Sequence, residues 1–170
     1  MHENNCDVIV VGGGIAGCSS ALLLARAGLR VILLERGPQA GSKNSSGGRI
    51  YTHSLAQILP DFAQSAPLER QVTQERLSLL SGASMTTMDH RHPVEAACSW
   101  TIQRARFDPW LMEQAQQAGA HCLTGVRVDA LITEQQRVIG VKIGDDALFA
   151  RAVVLAEGAN TLLAAQHRLA

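Results

Sequence analysis

Near the start of the chain, Gly12-Gly13-Gly14-Ile15-Ala16-Gly17 follows the spacing G-x-G-x-x-G, and Glu35 lies 18 positions beyond Gly17. The chemistry this arrangement permits is the binding of a dinucleotide. Gly12 allows a tight turn, Gly14 has no Cβ to keep a pyrophosphate from the backbone, and Gly17 lets a helix pack closely on a sheet. The phosphates then face a helix N-terminus. There the free N–H groups at Ile15 and Ala16, and about half a unit of positive charge, meet an anion. A carboxylate at Glu35 suits the 2′- and 3′-hydroxyls of a ribose and repels a 2′-phosphate, which argues against NADP. The plain alternative is a glycine-rich turn before an ordinary helix, with a surface Glu.

The context decides between them, because the motif is weak evidence on its own. Val8-Ile9-Val10-Val11 is an unbroken β-branched run, suited to a central parallel strand covered on both faces. Ile15 to Ala27 reads as a helix ended by Gly28, and Val31-Ile32-Leu33-Leu34 as a second buried strand. Strand, helix and strand together make one βαβ unit from Val8 to Glu35.

Downstream, residues 37–48 read as a Gly-, Ser- and Asn-rich loop and His53 to Leu59 as a short helix stopped by Pro60. Residues 70–90 read as an antiparallel hairpin and Ser99 to Gln103 as a strand. A helix is expected with Asp108 as N-cap, Pro109 in its first position and Gly119 at its close. Strands are expected over Val126–Ile132, Val138–Ile143, Ala147–Phe149 and Ala152–Ala156, with a turn at Gly144-Asp145-Asp146 and a new helix near Asn160.

Hydrophobic residues are 46% of the 170 and charged ones 18%, a globular rather than a disordered balance. Fifteen basic and fifteen acidic side chains cancel, so no net field favours nucleic acid. Cys6, Cys18, Cys98 and Cys122 form no C-x-x-C pair, which leaves no iron–sulfur or zinc spacing and suggests reduced thiols. No secretory signal and no transmembrane run is read, and a cytoplasmic location is expected.

Four ordered motifs carry a family resemblance. They are the glycine fingerprint followed by Leu34-Glu35-Arg36-Gly37; Gly41-Ser42-Lys43-Asn44-Ser45-Ser46-Gly47-Gly48-Arg49; Arg104-Ala105-Arg106-Phe107-Asp108-Pro109-Trp110-Leu111; and Ala156-Glu157-Gly158-Ala159-Asn160. Over essentially the whole chain the sequence resembles the flavoprotein dehydrogenases related to electron-transfer-flavoprotein:quinone oxidoreductase, most closely the FixC-type branch. The resemblance implies FAD as cofactor and an α/β fold. That fold is a Rossmann-like FAD-binding βαβ domain with antiparallel hairpin and meander insertions. Residues 1–170 then make up one FAD-binding domain, incomplete beside the family's full architecture.

The resemblance also implies roles for residues beyond the fingerprint. Gly47 and Gly48 lie beside the flavin, with Lys43 in the same loop, and Arg36 follows the ribose-binding Glu35. Arg104 stands against the FAD phosphate or ribose region, with a structural ion pair as its alternative. Val128 meets adenine. Glu157 and Gly158 follow a buried strand, where many relatives have Asp in place of Glu.

No residue reads as a catalytic acid, base or nucleophile, and no metal site is expected. Asp89-His90-Arg91-His92 reads as a solvated hairpin end, Ser45-Ser46 as loop, and His53 and His121 as structural or exposed. The flavin is expected to do the chemistry. By resemblance the partners are an electron-transfer flavoprotein, with quinone or a ferredoxin-like protein as acceptor. The family extends far beyond residue 170, so weak FAD binding is expected of this chain. An FAD monooxygenase or geranylgeranyl-reductase-like enzyme, and a non-catalytic nucleotide-binding fragment, are the competing readings.

Overall fold

A computed structural model describes residues 6–44, 46–94 and 98–167. Ser45 of the loop motif and the polar lead before Cys6 lie outside the described residues. The chain divides into two compact units, residues 1–45 with 104–170, and residues 46–103.

The first unit opens with β1 (Cys6–Val11), α1 (Ile15–Arg26) and β2 (Val31–Glu35). β1 and β2 are parallel, Val8 beside Val31 through Val11 beside Leu34. Ile9, Val10, Leu33 and Leu34 are almost wholly buried, as strands covered on both faces must be. α1 stops where Gly28 adopts φ +81°, its amide turned back to the Ala25 carbonyl. After residue 104 this unit continues with α3 (Arg104–Gln117), β8 (His121–Thr124), β9 (Ala130–Glu134), β10 (Arg137–Ile143), β11 (Asp146–Leu155) and α4 (Leu162–Gln166).

These strands form one six-stranded sheet ordered β8-β2-β1-β11-β10-β9. The first four run parallel, and β9 and β10 add an antiparallel meander. α1 and α3 pack together, and Leu22 of α1 and Phe107 and Leu111 of α3 are each fully buried. A second cluster joins Ile9, Val11 and Leu34 to Leu131, Val141 and Leu163. This is the expected α/β, Rossmann-like architecture.

The second unit holds β3 (Gly47–Tyr51), α2 (Thr52–Ile58), β4 (Leu68–Gln71), β5 (Gln74–Ser81), β6 (Ser84–Arg91) and β7 (Ser99–Gln103). β3, β7 and β4 form one antiparallel sheet, and β5 and β6 form the expected hairpin.

Four local expectations are corrected. α3 starts at Arg104, one turn before the anticipated cap, so Asp108 is an interior helical residue and Pro109 follows it within the helix. The i,i+4 pair of Arg104 with Asp108 and the burial of Phe107 hold that extra turn, at the cost of the hydrogen bond a proline nitrogen cannot donate. Gly47 and Gly48 open strand β3 instead of ending a loop, because they pair with Gln103 and Ile102 of β7. Residues 126–129 are not strand, since the amides of Gly125 and Val126 turn to the carbonyls of Gly37 and Glu35. The two strands expected at 147–149 and 152–156 are one. β11 pairs antiparallel with β10 through Phe149 and parallel with β1 from Ala150.

Candidate cofactor-binding site

At the C-terminal ends of the parallel strands of the first unit lies a cavity of about 590 Å³. Open α/β sheets place ligands at this edge. Gly12 and Gly14 line it, with Glu35 and Arg36 from the end of β2, and Lys43 and Asn44 from the following loop. Arg104 of α3, Val128, Glu157 and Gly158 complete the wall. Ile15 and Ala16 line a neighbouring depression of about 400 Å³ with Gly14, Arg104 and Glu157. Gly17 is buried and lines neither. Gly47 and Gly48 belong to the second unit, where a side chain on Gly47 would crowd the Ile102 carbonyl at 2.9 Å.

The four glycines of the turn differ in why they are glycines. A Cβ on Gly12, whose φ is +108°, would collide with the Ala156 carbonyl, and one on Gly17 with the carbonyl of Gly12. Gly13, the unassigned x of the motif, is crowded by side chains instead of backbone, with the Met112 methyl 2.7 Å and the Glu35 Cβ 2.9 Å from a Cβ placed there. Gly14 is different. The nearest atom to its missing Cβ is an Arg104 nitrogen at 3.8 Å. Gly14 is also the N-cap of α1, and no side chain caps the helix there.

Glu35 spans the mouth of the turn. Its Oε2 accepts the Gly13 amide at 2.7 Å and its Oε1 accepts the Gly37 amide at 2.6 Å. A carboxylate offers about four lone-pair positions, so capacity for two further donors remains.

Arg104 donates from Nε to Asp108 Oδ1 and from Nη2 to Asp108 Oδ2, both at 2.7 Å. The ion pair raises the Arg104 pKa further above its already high ordinary value. Asn44 donates to the same Asp108 at 3.1 Å. Arg104 therefore has the ion pair foreseen as its alternative and also faces the cavity. Asp108 is a site residue that sequence reasoning missed. Its four-residue separation from Arg104 was the available signal, hidden by its suitability as a helix cap.

Glu157 turns its carboxylate to α4, accepting the amides of Leu163 at 3.0 Å and Ala164 at 3.1 Å. Cys18, below the turn, is buried and its pKa is pushed up to about 12, chiefly by desolvation, so it stays a neutral thiol. In the second unit, Asp89 is held by Gln74 and Arg76, and the His90 and His92 rings lie 4.2 Å apart within or beside β6. Among the described residues no group of three or more His, Cys, Asp or Glu is placed to hold a metal.

The residues fit FAD. An uncapped helix N-terminus, a glycine open on its ligand side and a carboxylate with spare acceptor capacity are what a pyrophosphate and a ribose require. The sequence matches the family of FAD dependent oxidoreductases over residues 7–92 and 63–169. The chain belongs to that family.

Among the relatives of this chain is the probable electron transfer flavoprotein-quinone oxidoreductase YgcN of Escherichia coli (strain K12), 55% identical over 98% of this chain and 39% of the relative. Protein FixC of Escherichia coli (strain K12) is 47% identical over 96% of this chain and 39% of its own length. The FixC-type resemblance read from the four motifs is thus met by direct comparison. The chain spans about two fifths of the length of the curated relatives it matches. A solved geranylgeranyl bacteriochlorophyll reductase-like protein from Thermoplasma acidophilum superposes with a TM-score of 0.76 at 25% identity, covering 94% of this chain and 41% of that one. FAD is the cofactor of the family, as expected. Among the described residues no helix is long and apolar enough to cross a membrane.

Proposed function

We propose that this chain is the FAD-holding part of an oxidoreductase that takes electrons from an electron-transfer flavoprotein and passes them toward quinone or a ferredoxin-like acceptor. The observation that carries FAD binding is the open Cβ position at Gly14, the one glycine of the turn that no neighbouring protein atom requires. The pyrophosphate lies there, on the amides of Ile15 and Ala16, with Gly12 and Gly17 shaping the turn and Arg104 beside it. The ribose hydroxyls take the free acceptor positions of Glu35, each charge-assisted bond contributing about 1.5–3 kcal/mol. Arg36 and Lys43 add positive charge at the rim, and Val128 offers an apolar wall to adenine. Gly158 presents backbone to the cofactor, while Glu157 holds α4 in place beside it. When bound, the isoalloxazine ring accepts and releases electrons. The electron-transfer flavoprotein and quinone of this reading are supported by the name of the relative YgcN, a probable electron transfer flavoprotein-quinone oxidoreductase.

Titrating the purified chain with FAD tests the binding half, because fluorescence quenching that saturates supports it and a flat titration refutes it. Anaerobic mixing of the loaded protein with reduced electron-transfer flavoprotein tests the transfer half. Bleaching of the visible flavin absorbance is expected. The likeness to a geranylgeranyl-reductase-like structure favours a second reading, in which a reduced nicotinamide nucleotide bleaches the flavin and the electron-transfer flavoprotein does not.

A further inference from the structure

Among the described residues, Asp108 is the only charged side chain that is buried, with a relative exposure of 0%. Burying a carboxylate is costly, and a buried ion pair adds little net stability over an apolar pair of the same volume. The geometry around Asp108 suggests a different use. One oxygen holds Arg104 Nε, and the other holds both Arg104 Nη2 and Asn44 Nδ2. Arg104 stands at the start of α3 and Asn44 at the end of the Gly41–Asn44 turn, so one carboxylate joins two walls of the same cavity.

The closeness of those walls is built into the turn. Gly41, at φ +72°, leaves no space for a Cβ, with the Arg104 carbonyl at 2.7 Å and the Asp108 Cβ at 2.9 Å. A guanidinium carries five N–H donors in a rigid plane. With two committed to Asp108, the plane is fixed and Nη2 stands 3.8 Å from the open position at Gly14.

We propose that Asp108 is a positioning residue for the cofactor: it fixes the plane of Arg104 beside Gly14 and anchors the Asn44 turn, so that the FAD pyrophosphate meets an oriented cation. The proposal rests on the FAD-binding reading above and assigns a role to a residue that touches no ligand itself.

The test is a double-mutant cycle on FAD affinity. Asp108→Asn keeps the shape and removes the charge, and loss of one charge-assisted contact is expected to weaken FAD binding about tenfold. Arg104→Ala is expected to lose at least as much. If Asp108 acts through Arg104, the double variant binds no more weakly than Arg104→Ala alone. Equal binding by Asp108→Asn and the parent, or losses that simply add, would overturn the proposal. Arg104→Lys covers the case in which Asp108→Asn does not fold. It keeps the charge without the fork, so it is expected to bind FAD about tenfold more weakly, and parental affinity would equally refute the proposal. A parent chain that takes up no FAD at all would instead remove the FAD-binding reading, and this inference with it.

Discussion

The Oε2 of Glu35 accepts the amide of Gly13 at 2.7 Å, across 22 residues of sequence, while its Oε1 holds the Gly37 amide. The acid at the end of β2 is therefore hydrogen-bonded into the glycine turn itself.

This relationship predicts that Glu35→Gln harms the protein even without ligand. A carboxamide must set its NH₂ group against one of the two amide donors, leaving an unmatched polar contact that costs about 1–3 kcal/mol. The melting temperature of the FAD-free chain should fall, and FAD affinity should fall further. An unchanged melting temperature would show that the turn does not depend on the carboxylate.

Gly13→Ala and Gly14→Ala should separate folding from binding. The first forces a methyl against Glu35 and Met112, a crowding that typically costs about 1–3 kcal/mol, and should lower the melting temperature. The second meets open space in the protein, so stability should hold while FAD affinity drops about tenfold or more. The reverse pattern in paired melting and titration curves would contradict the assignment of Gly14 to the pyrophosphate.

A pH-dependent contribution is expected in the second unit. Arg49, hydrogen-bonded at 2.6 Å, lowers the Glu75 pKa to about 2 from an ordinary 4.5, with His92 assisting. The folded state thus favours the ionised form. The stabilisation is complete above the unfolded pKa and is lost as pH falls through the folded one, between about 4.5 and 2. Glu75 is well exposed, so solvent screening keeps the effect small. Melting curves of the parent and Glu75→Gln should differ at neutral pH and converge with acidification through that window. A gap that persists at the acid end would rule out this pairing as its source.

The βαβ unit was legible because burial on both faces writes itself as an apolar run, and Gly28 marks the end of α1 by the conformation it alone adopts easily. The dinucleotide motif could be read because its spacing falls between that strand and that helix, although the Ala156 carbonyl that excludes a Cβ at Gly12 lies far along the chain. Less legible were features set by partners distant in sequence. Nothing near Gly13 announces Met112, and nothing near Asp108 announces Asn44. The same aspartate is a good cap and a good ion-pair acceptor, and only the start of α3 decides which. Gly47 and Gly48 look like loop until their partners Gln103 and Ile102, 56 and 54 positions on, complete the pairing. Glu157 was visible as a departure from the usual Asp, but its engagement with α4 depends on a turn at Thr161, with φ +35°, that no local composition dictates.

The strand β11 carries one more implication, for how the molecule is made. β1 is flanked by β2 almost at once, yet its other edge waits for residues 150–155. At roughly 5–20 residues per second, a ribosome needs about 6–24 s beyond β2 to supply them. Throughout that interval the nascent chain carries a strand with one edge bare, a ready template for mispairing with other chains. Protection of that edge during synthesis should therefore govern how much of this protein is recovered in native form.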